Sequence, residues 1–341
     1  MRHVIPFIFL LSVGLSTMAQ SGDSSRYFLR KGMEEKDSGQ LSEALRDFQQ
    51  SIRYDPNNIN ALRETGMLAT ALNQYELAKS AYRKLLLLRK NDTTAVRDLP
   101  NLYLQTQEWL GAIRYASTAI QLHVGRNNYY VMGKSYYEIS AFEHALGYLP
   151  AAQRDDPQNP EIPYLLAKTF EGLNSYRAAI PYFQKAISMD STNTGWIYEC
   201  AQAFSSAFDD KSAVQYYELA AQKGLPKDST FYENLANSYI ASGQTVKGLR
   251  ILQDQADRKP GDMKILARLA YTNYQVKKYD EAISAWSKIL SYDKQNARAM
   301  YMMGLAYQKK GDIQKGKTYC DQALALEPAI KDSLDRGSTD K

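Results

Sequence analysis

The feature that most constrains this chain is a period. "LSEALRDFQQSIRYDP" at 41–56, "YELAKSAYRKLLLLRK" at 75–90, "GLNSYRAAIPYFQKAISMD" at 172–190 and "YDEAISAWSKILSYDK" at 279–294 share one internal pattern. Each places an alanine, then an aromatic four residues on, inside an apolar spacing of helical period. Full units start at residues 25, 59, 93, 126, 160, 194, 229, 263 and 297, at intervals of 33 to 35 residues. A unit that short cannot bury its own apolar face, so copies must stack on one another. The expected fold class is all-α, an α-solenoid of nine stacked units.

Sizes recur in phase with the period. Position 8 of the unit is Gly32, Gly66, Gly133, Ala167, Ala201, Ala236, Ala270 and Gly304. Position 20 is Ala44, Ala78, Ala112, Ala145, Ala179, Ala213, Gly248, Ala282 and Gly316. Position 24 is large at Phe48, Tyr82, Phe183, Tyr217 and Trp286, and position 32 is proline at Pro56, Pro157, Pro260 and Pro328. This pattern resembles the tetratricopeptide repeat and covers 25–328 as nine copies. The resemblance implies a right-handed superhelix whose concave groove, lined by first helices, binds partners at positions 2, 5, 6, 9, 12 and 13.

Small residues at positions 8 and 20 let two helices cross closely, and the aromatic at 24 is expected to fill the gap toward the next unit. Pro100 stands at position 8 of the third unit, and Pro150 and Pro181 lie in second helices. A helix-interior proline removes one backbone hydrogen bond and costs about 3 kcal/mol unless a kink absorbs it. With Gly147 as a further weak spot, units three to five are expected to depart from a regular stack. "KGLPKDST" at 223–230 is the longest junction and reads as an ordinary loop or a hinge. Residues 329–341 make a short cap, with Ile330 and Leu334 four apart, and a tail.

The first residues are a separate object. "MRHVIPFIFLLSVGLSTMAQ" has a basic start at Arg2, an apolar run from Val4 to Leu15 and small residues before a cut after Ala19. That is the pattern of a secretory signal peptide over 1–19, followed by a linker over 20–24. The junction is Gram-negative in style, so the expected location is periplasmic or secreted, with no transmembrane segment after cleavage. The net charge of +5 is uneven: residues 229–341 hold 18 basic and 13 acidic groups, while 20–228 hold 23 and 24. The basic groups are not clustered densely enough for a nucleic-acid reader. Cys200 and Cys320 sit three units apart, on the order of 20–30 Å from helices about 10 Å wide. A disulfide needs α-carbons within roughly 7 Å. Both therefore read as buried thiols.

Catalysis needs convergent titratable groups. His123 and His144 lie in different units without metal-ligand spacing, and "GKS" at Gly133–Ser135 lacks the first glycine of a phosphate loop, Asn128 standing there. No catalytic, metal or cofactor site is expected. The groove positions carry the functional expectation instead. Position 5 gives Tyr130, Tyr164 and Tyr198 in consecutive units, position 9 gives Lys134, Lys168 and Gln202, and position 12 adds Tyr137. Tyrosines offer apolar area and a hydroxyl, and lysines suit an acidic partner or a terminal carboxylate. The bland alternative is that the tyrosines only cover neighbours. Members of the family that clamp a C-terminal carboxylate are matched at Asn234, Lys264 and Arg268, with Tyr271 beside them. Tyr198 and Gln202 replace the other two clamp residues. The chain is expected to be a non-enzymatic scaffold or adaptor of the cell envelope that binds a protein segment in this groove. A structural part of an envelope or secretion assembly, and a glycan or cell-wall binder, are the alternatives.

Overall fold

The computed structural model describes the backbone of residues 7–330 and the side chains of residues 22–330. Among the described residues eighteen helices follow one another in pairs, each pair joined by a tight turn. The first pairs are α1 (Phe7–Asp37) with α2 (Leu41–Tyr54), α3 (Ile59–Ala71) with α4 (Tyr75–Leu88), and α5 (Thr93–Gln105) with α6 (Trp109–Gln121). Then come α7 (Asn128–Glu138) with α8 (Phe142–Asp155) and α9 (Glu161–Gly172) with α10 (Tyr176–Met189). The remainder are α11 (Thr194–Ser206) with α12 (Asp210–Gln222), α13 (Ser229–Ala241) with α14 (Thr245–Arg258), α15 (Met263–Gln275) with α16 (Tyr279–Tyr292), and α17 (Ala297–Lys310) with α18 (Ile313–Leu326). No strand occurs among the described residues.

Local chemistry sets the helix ends. Six first helices start on side-chain caps, while α7 and α9 start without one. Asn58, Asp92, Asn193, Asp228, Asp262 and Asn296 each accept from a backbone N–H two or three residues on, which satisfies donors that the helix leaves orphaned. Within each pair the turn needs one left-handed residue, and it is always the fifteenth of the unit. These are Gly39, Asn73, Gln107, Ser140, Asn174, Phe208, Gly243, Lys277 and Gly311, with φ between 54° and 106°.

The small positions do what close crossing requires, with one difference from the sequence reading. A Cβ on Gly32 would sit 2.7 Å from the Phe48 ring, and one on Gly66 would sit 2.4 Å from the Tyr82 ring. The aromatic at position 24 therefore lies first over the glycine of its own unit. It reaches the next unit at its tip: the Tyr82 hydroxyl donates to Asp98 at 3.0 Å. Phe48, Tyr82 and Phe183 are fully buried, and truncating such a side chain to alanine costs about 3–5 kcal/mol. Helices α5, α8 and α10 run on through Pro100, Pro150 and Pro181. In the third unit, where Pro100 replaces the small residue, Gly111 gives the close approach: a Cβ there would meet the Tyr103 ring at 2.2 Å.

The chain separates into two bodies, Met1–Met189 and Asp190–Lys341. The division falls one unit earlier than the connection at 223–230, which lies inside the C-terminal body. That connection ends in an ordinary cap, Asp228 accepting from the Phe231 N–H at 2.8 Å. The expected cut after Ala19 falls within the span of α1, whose side chains before residue 22 lie outside the described residues, as do residues 331–341 of the expected cap and tail. Among the described residues no helix is long and apolar enough to cross a membrane. Cys200 and Cys320 are buried thiols that are not joined in a disulfide.

Candidate functional site

In the N-terminal body, α7 presents Tyr130 and Lys134 one turn apart, toward the start of α9. Glu161 accepts from both: the Tyr130 hydroxyl at 2.7 Å and the Lys134 ammonium at 2.6 Å. The same ammonium lies 5.7 Å from the centre of the Tyr130 ring. Burial, and then the Glu161 carboxylate, hold the Tyr130 phenol well above its ordinary range, so it stays a donor. Tyr137 is tilted against Phe142, ring centres 6.0 Å apart. In α9, Tyr164 meets Phe183 edge-on at 6.0 Å, and Lys168 pairs with Glu171 at 2.7 Å. Gly133 of the "GKS" triplet lies mid-helix beneath Leu149, which a Cβ there would meet at 2.5 Å. It is a packing glycine.

In the C-terminal body, Tyr198 stacks on Phe231 with ring centres 6.0 Å apart. Its hydroxyl accepts from Asn234 at 2.8 Å, and burial raises its phenol above the ordinary value. Asn234, which the clamp pattern puts with Lys264 and Arg268, is thus committed to Tyr198. Gln202 is half-buried on the same helix.

Lys264, Arg268 and Tyr271 line a cavity of about 710 Å³, within the range of pre-formed ligand clefts. Its apolar wall comes from Leu252, Trp286, Ile289 and Met302, and its rim from Glu233, Lys264, Arg268 and Arg298. Lys264 is neutralised by Glu233 at 2.8 Å. Arg268 and Arg298 are exposed and make no ion pair or side-chain hydrogen bond. Asn237 also lines the cavity, and its amide oxygen is buried without a hydrogen-bond partner. An unmet buried acceptor costs about 1–3 kcal/mol, and this one is enclosed by the protein. The cavity can hold a segment with apolar side chains and carboxylates. Sequence reading missed Arg298 and Asn237. Arg298 stands 34 residues after Lys264, at the same position of the next unit, so the period itself could have revealed it.

Among the described residues no group of three His, Cys, Asp or Glu could hold a metal ion. Tetratricopeptide repeat models match residues 29–95, 161–193 and 297–330. Solved structures with a similar course include YrrB, titled a TPR protein with an unusual peptide-binding site. It is 19% identical, with 56% of this chain and 97% of that one covered and a TM-score of 0.45. The C-terminal part of a TPR repeat-containing protein from Cytophaga hutchinsonii is 17% identical over 81% and 99%, with a TM-score of 0.47. The P58(IPK) TPR domain is 15% identical over 93% and 99%, with a TM-score of 0.30. No curated protein matches the chain.

Proposed function

We propose, on the premise that the chain belongs to the tetratricopeptide repeat family, that it is a non-enzymatic scaffold whose C-terminal body grips an acidic protein segment. Repeats of this family serve protein–protein interaction. The observation that carries the finer reading is the pair of unpaired guanidinium groups, Arg268 and Arg298, on the rim of an apolar cavity. Guanidinium groups suit carboxylates in a two-pronged hydrogen bond. The tyrosine ladder is the weaker candidate, because the polar ends of Tyr130, Lys134 and Tyr198 already have partners inside the protein.

The test is an array of extended peptides graded in acidic content. The unaltered chain should retain the acid-rich members. The double variant Arg268→Glu/Arg298→Glu should lose them by about a hundredfold or more, since a hydrogen bond to a charged group contributes about 1.5–3 kcal/mol. Equal retention by both chains, or equal retention of neutral peptides, would overturn the reading. The setting we propose is the cell envelope, after removal of residues 1–19. The leader-like composition of that segment supports it, and an intact mass that retains Met1 in the exported fraction would refute it.

A further inference from the structure

The cavity is walled in part by Ser229, Asp262 and Asn296, at the starts of first helices. The opposite end of those helices, where each pair turns back on itself, has a different surface. Because consecutive helices run antiparallel, the turns after α11, α13, α15 and α17 lie along one edge of the C-terminal body. Phe208 is the left-handed residue of the first turn, with φ of 62° and its side chain 89% exposed. A bulky residue in that conformation costs about 1–2 kcal/mol relative to a right-handed one, and the exposed ring recovers nothing by packing. Val246 (77% exposed) and Ile313 (62%) stand just past the turns of the second and fourth pairs. Lysines sit between them: Lys211, Lys247, Lys277, Lys278, Lys309, Lys310 and Lys315, all exposed.

These lysines are mostly unmatched. Lys211, Lys277, Lys278 and Lys309 make no ion pair, and Lys310 pairs with Asp280. Of its five acids only Asp210 is half-buried, while Asp209, Asp280, Glu281 and Asp312 are exposed beside the lysines. Asp209 and Asp312 are caps, accepting from the N–H groups of Ser212 and Lys315. Around the four turns (205–213, 240–248, 274–282 and 308–316) there are seven basic and five acidic residues, a surplus of +2.

We infer that this edge docks on a bilayer surface bearing anionic phospholipid headgroups. The apolar side chains stand singly at the tips of successive turns instead of pooling in a hollow. A protein partner would need a packed apolar centre. Single apolar tips flanked by flexible ammonium groups match a headgroup layer, where rings and aliphatic chains enter the acyl boundary and lysines remain at the phosphates. Most of the cavity's lining lies toward the helix starts, with Tyr274 reaching the turn edge.

The experiment is sedimentation of the full chain with vesicles of phosphatidylcholine alone, or of equimolar phosphatidylcholine and phosphatidylglycerol. Binding should favour the anionic vesicles at least tenfold, each lysine near the surface adding about a fivefold factor. Lys277→Glu/Lys278→Glu should abolish that preference. Phe208→Asn/Val246→Asn should weaken binding about fivefold or more while the chain stays folded, since asparagine suits the left-handed turn. Arg268→Glu/Arg298→Glu should bind vesicles as the unaltered chain does, which separates this edge from the peptide site. Residues 1–19 are common to every chain compared, so differences report the edge. Equal sedimentation of all variants, or no preference for anionic vesicles, would overturn the inference. So would capture of polyglutamate by the Lys277/Lys278 edge while vesicles of both kinds stay unbound.

Discussion

In the N-terminal body, cations are used between helices. Lys31 reaches Asp47 of α2, Lys36 reaches Glu64 of α3, Arg63 reaches Asp92 at the start of α5, and Lys134 reaches Glu161 of α9. Lys79, only 2% exposed, joins Glu108 ahead of α6 and covers the Tyr103 ring at 5.2 Å. The Lys36, Lys134 and Lys79 pairs cross from one repeat to the next, and Asp92, the last residue of its repeat, caps the helix that opens the next one. In the C-terminal body, Lys264–Glu233 and Lys310–Asp280 still cross between repeats, and Arg268, Arg298, Lys277, Lys278 and Lys309 are left unpaired, as Arg46, Arg83, Arg114 and Arg177 are in the N-terminal body. The turn edges differ in the same sense. Around the five N-terminal turns (36–44, 70–78, 104–112, 137–145 and 171–179) there are two basic and seven acidic residues, a net −5 against the +2 of the other body. One repeat chemistry thus serves two ends. Where a cation meets an acid of the next repeat it fixes the stack, and where it does not it remains available to something outside the chain.

The sharpest way to break this comparison is to remove an acid from the N-terminal body. Asp92 is buried, caps α5 through the Thr94 and Ala95 N–H groups, and pairs with Arg63. Asp92→Ala should destabilise α3 to α5 by about 3 kcal/mol, from the lost cap and the orphaned guanidinium. Hydrogen exchange should show the loss there and leave α13 to α18 unchanged. Equal loss in both bodies would mean that the ion pairs do not fix their own repeats.

Acid should produce a smaller effect of the same kind. Burial would raise the Asp92 carboxyl, but the Arg63 hydrogen bond and the backbone N–H groups outweigh it and hold it low. The Lys79 hydrogen bond holds Glu108 low as well. A carboxyl depressed in the folded state gives stability that is present above its unfolded value, near 4, and lost as pH falls through the folded value. The N-terminal body should therefore lose stability as pH falls below about 4, the buried Asp92 pair contributing more than the solvent-screened Glu108 pair. In the C-terminal body only Asp190, exposed in a turn and held low by Thr192, has such a carboxyl among the described residues. Exchange measured along a pH series checks the order in which the two bodies loosen. Earlier loosening of the C-terminal body would contradict the assignment.

The smallest expected effect sharpens the contrast of the turn edges. Phe208→Asn should stabilise its turn by about 0.5–1 kcal/mol, and Asn174→Phe should destabilise the equivalent turn by a similar amount. Thermal unfolding of the two variants, read by near-ultraviolet circular dichroism, would give shifts of opposite sign. Shifts of the same sign would mean that the Phe208 ring is held by packing after all.

The fold was legible because it is written in phase. Gly66 and Tyr82 are sixteen residues apart, and so are Gly32 and Phe48. A period repeated that often fixes both the helix pairs and the face each one buries. The site was legible only in its residue types. That Tyr130 and Lys134 share one acceptor depends on how α7 and α9 stand side by side, and nothing at Glu161 marks it as that acceptor. Asn234 matches a clamp position, yet it is engaged by Tyr198, an aromatic that the pattern treats as a substitute. Asn237 stands out only through a missing partner, and an absence has no signature in a sequence. Phe208 did have one: at that place in the other units stand only glycine and polar residues.

The two thiols give each end of the C-terminal body its own clock. Cys200 is fully enclosed in the first pair of that body. Cys320 lies against Gly304 in the last pair, where an added Cβ would come within 2.6 Å of its sulfur. A reagent can reach Cys320 only when α17 and α18 part, and Cys200 only when the helices around it open. The ratio of the two labelling rates therefore measures how unfolding travels along the stack, with no probe introduced and no residue changed.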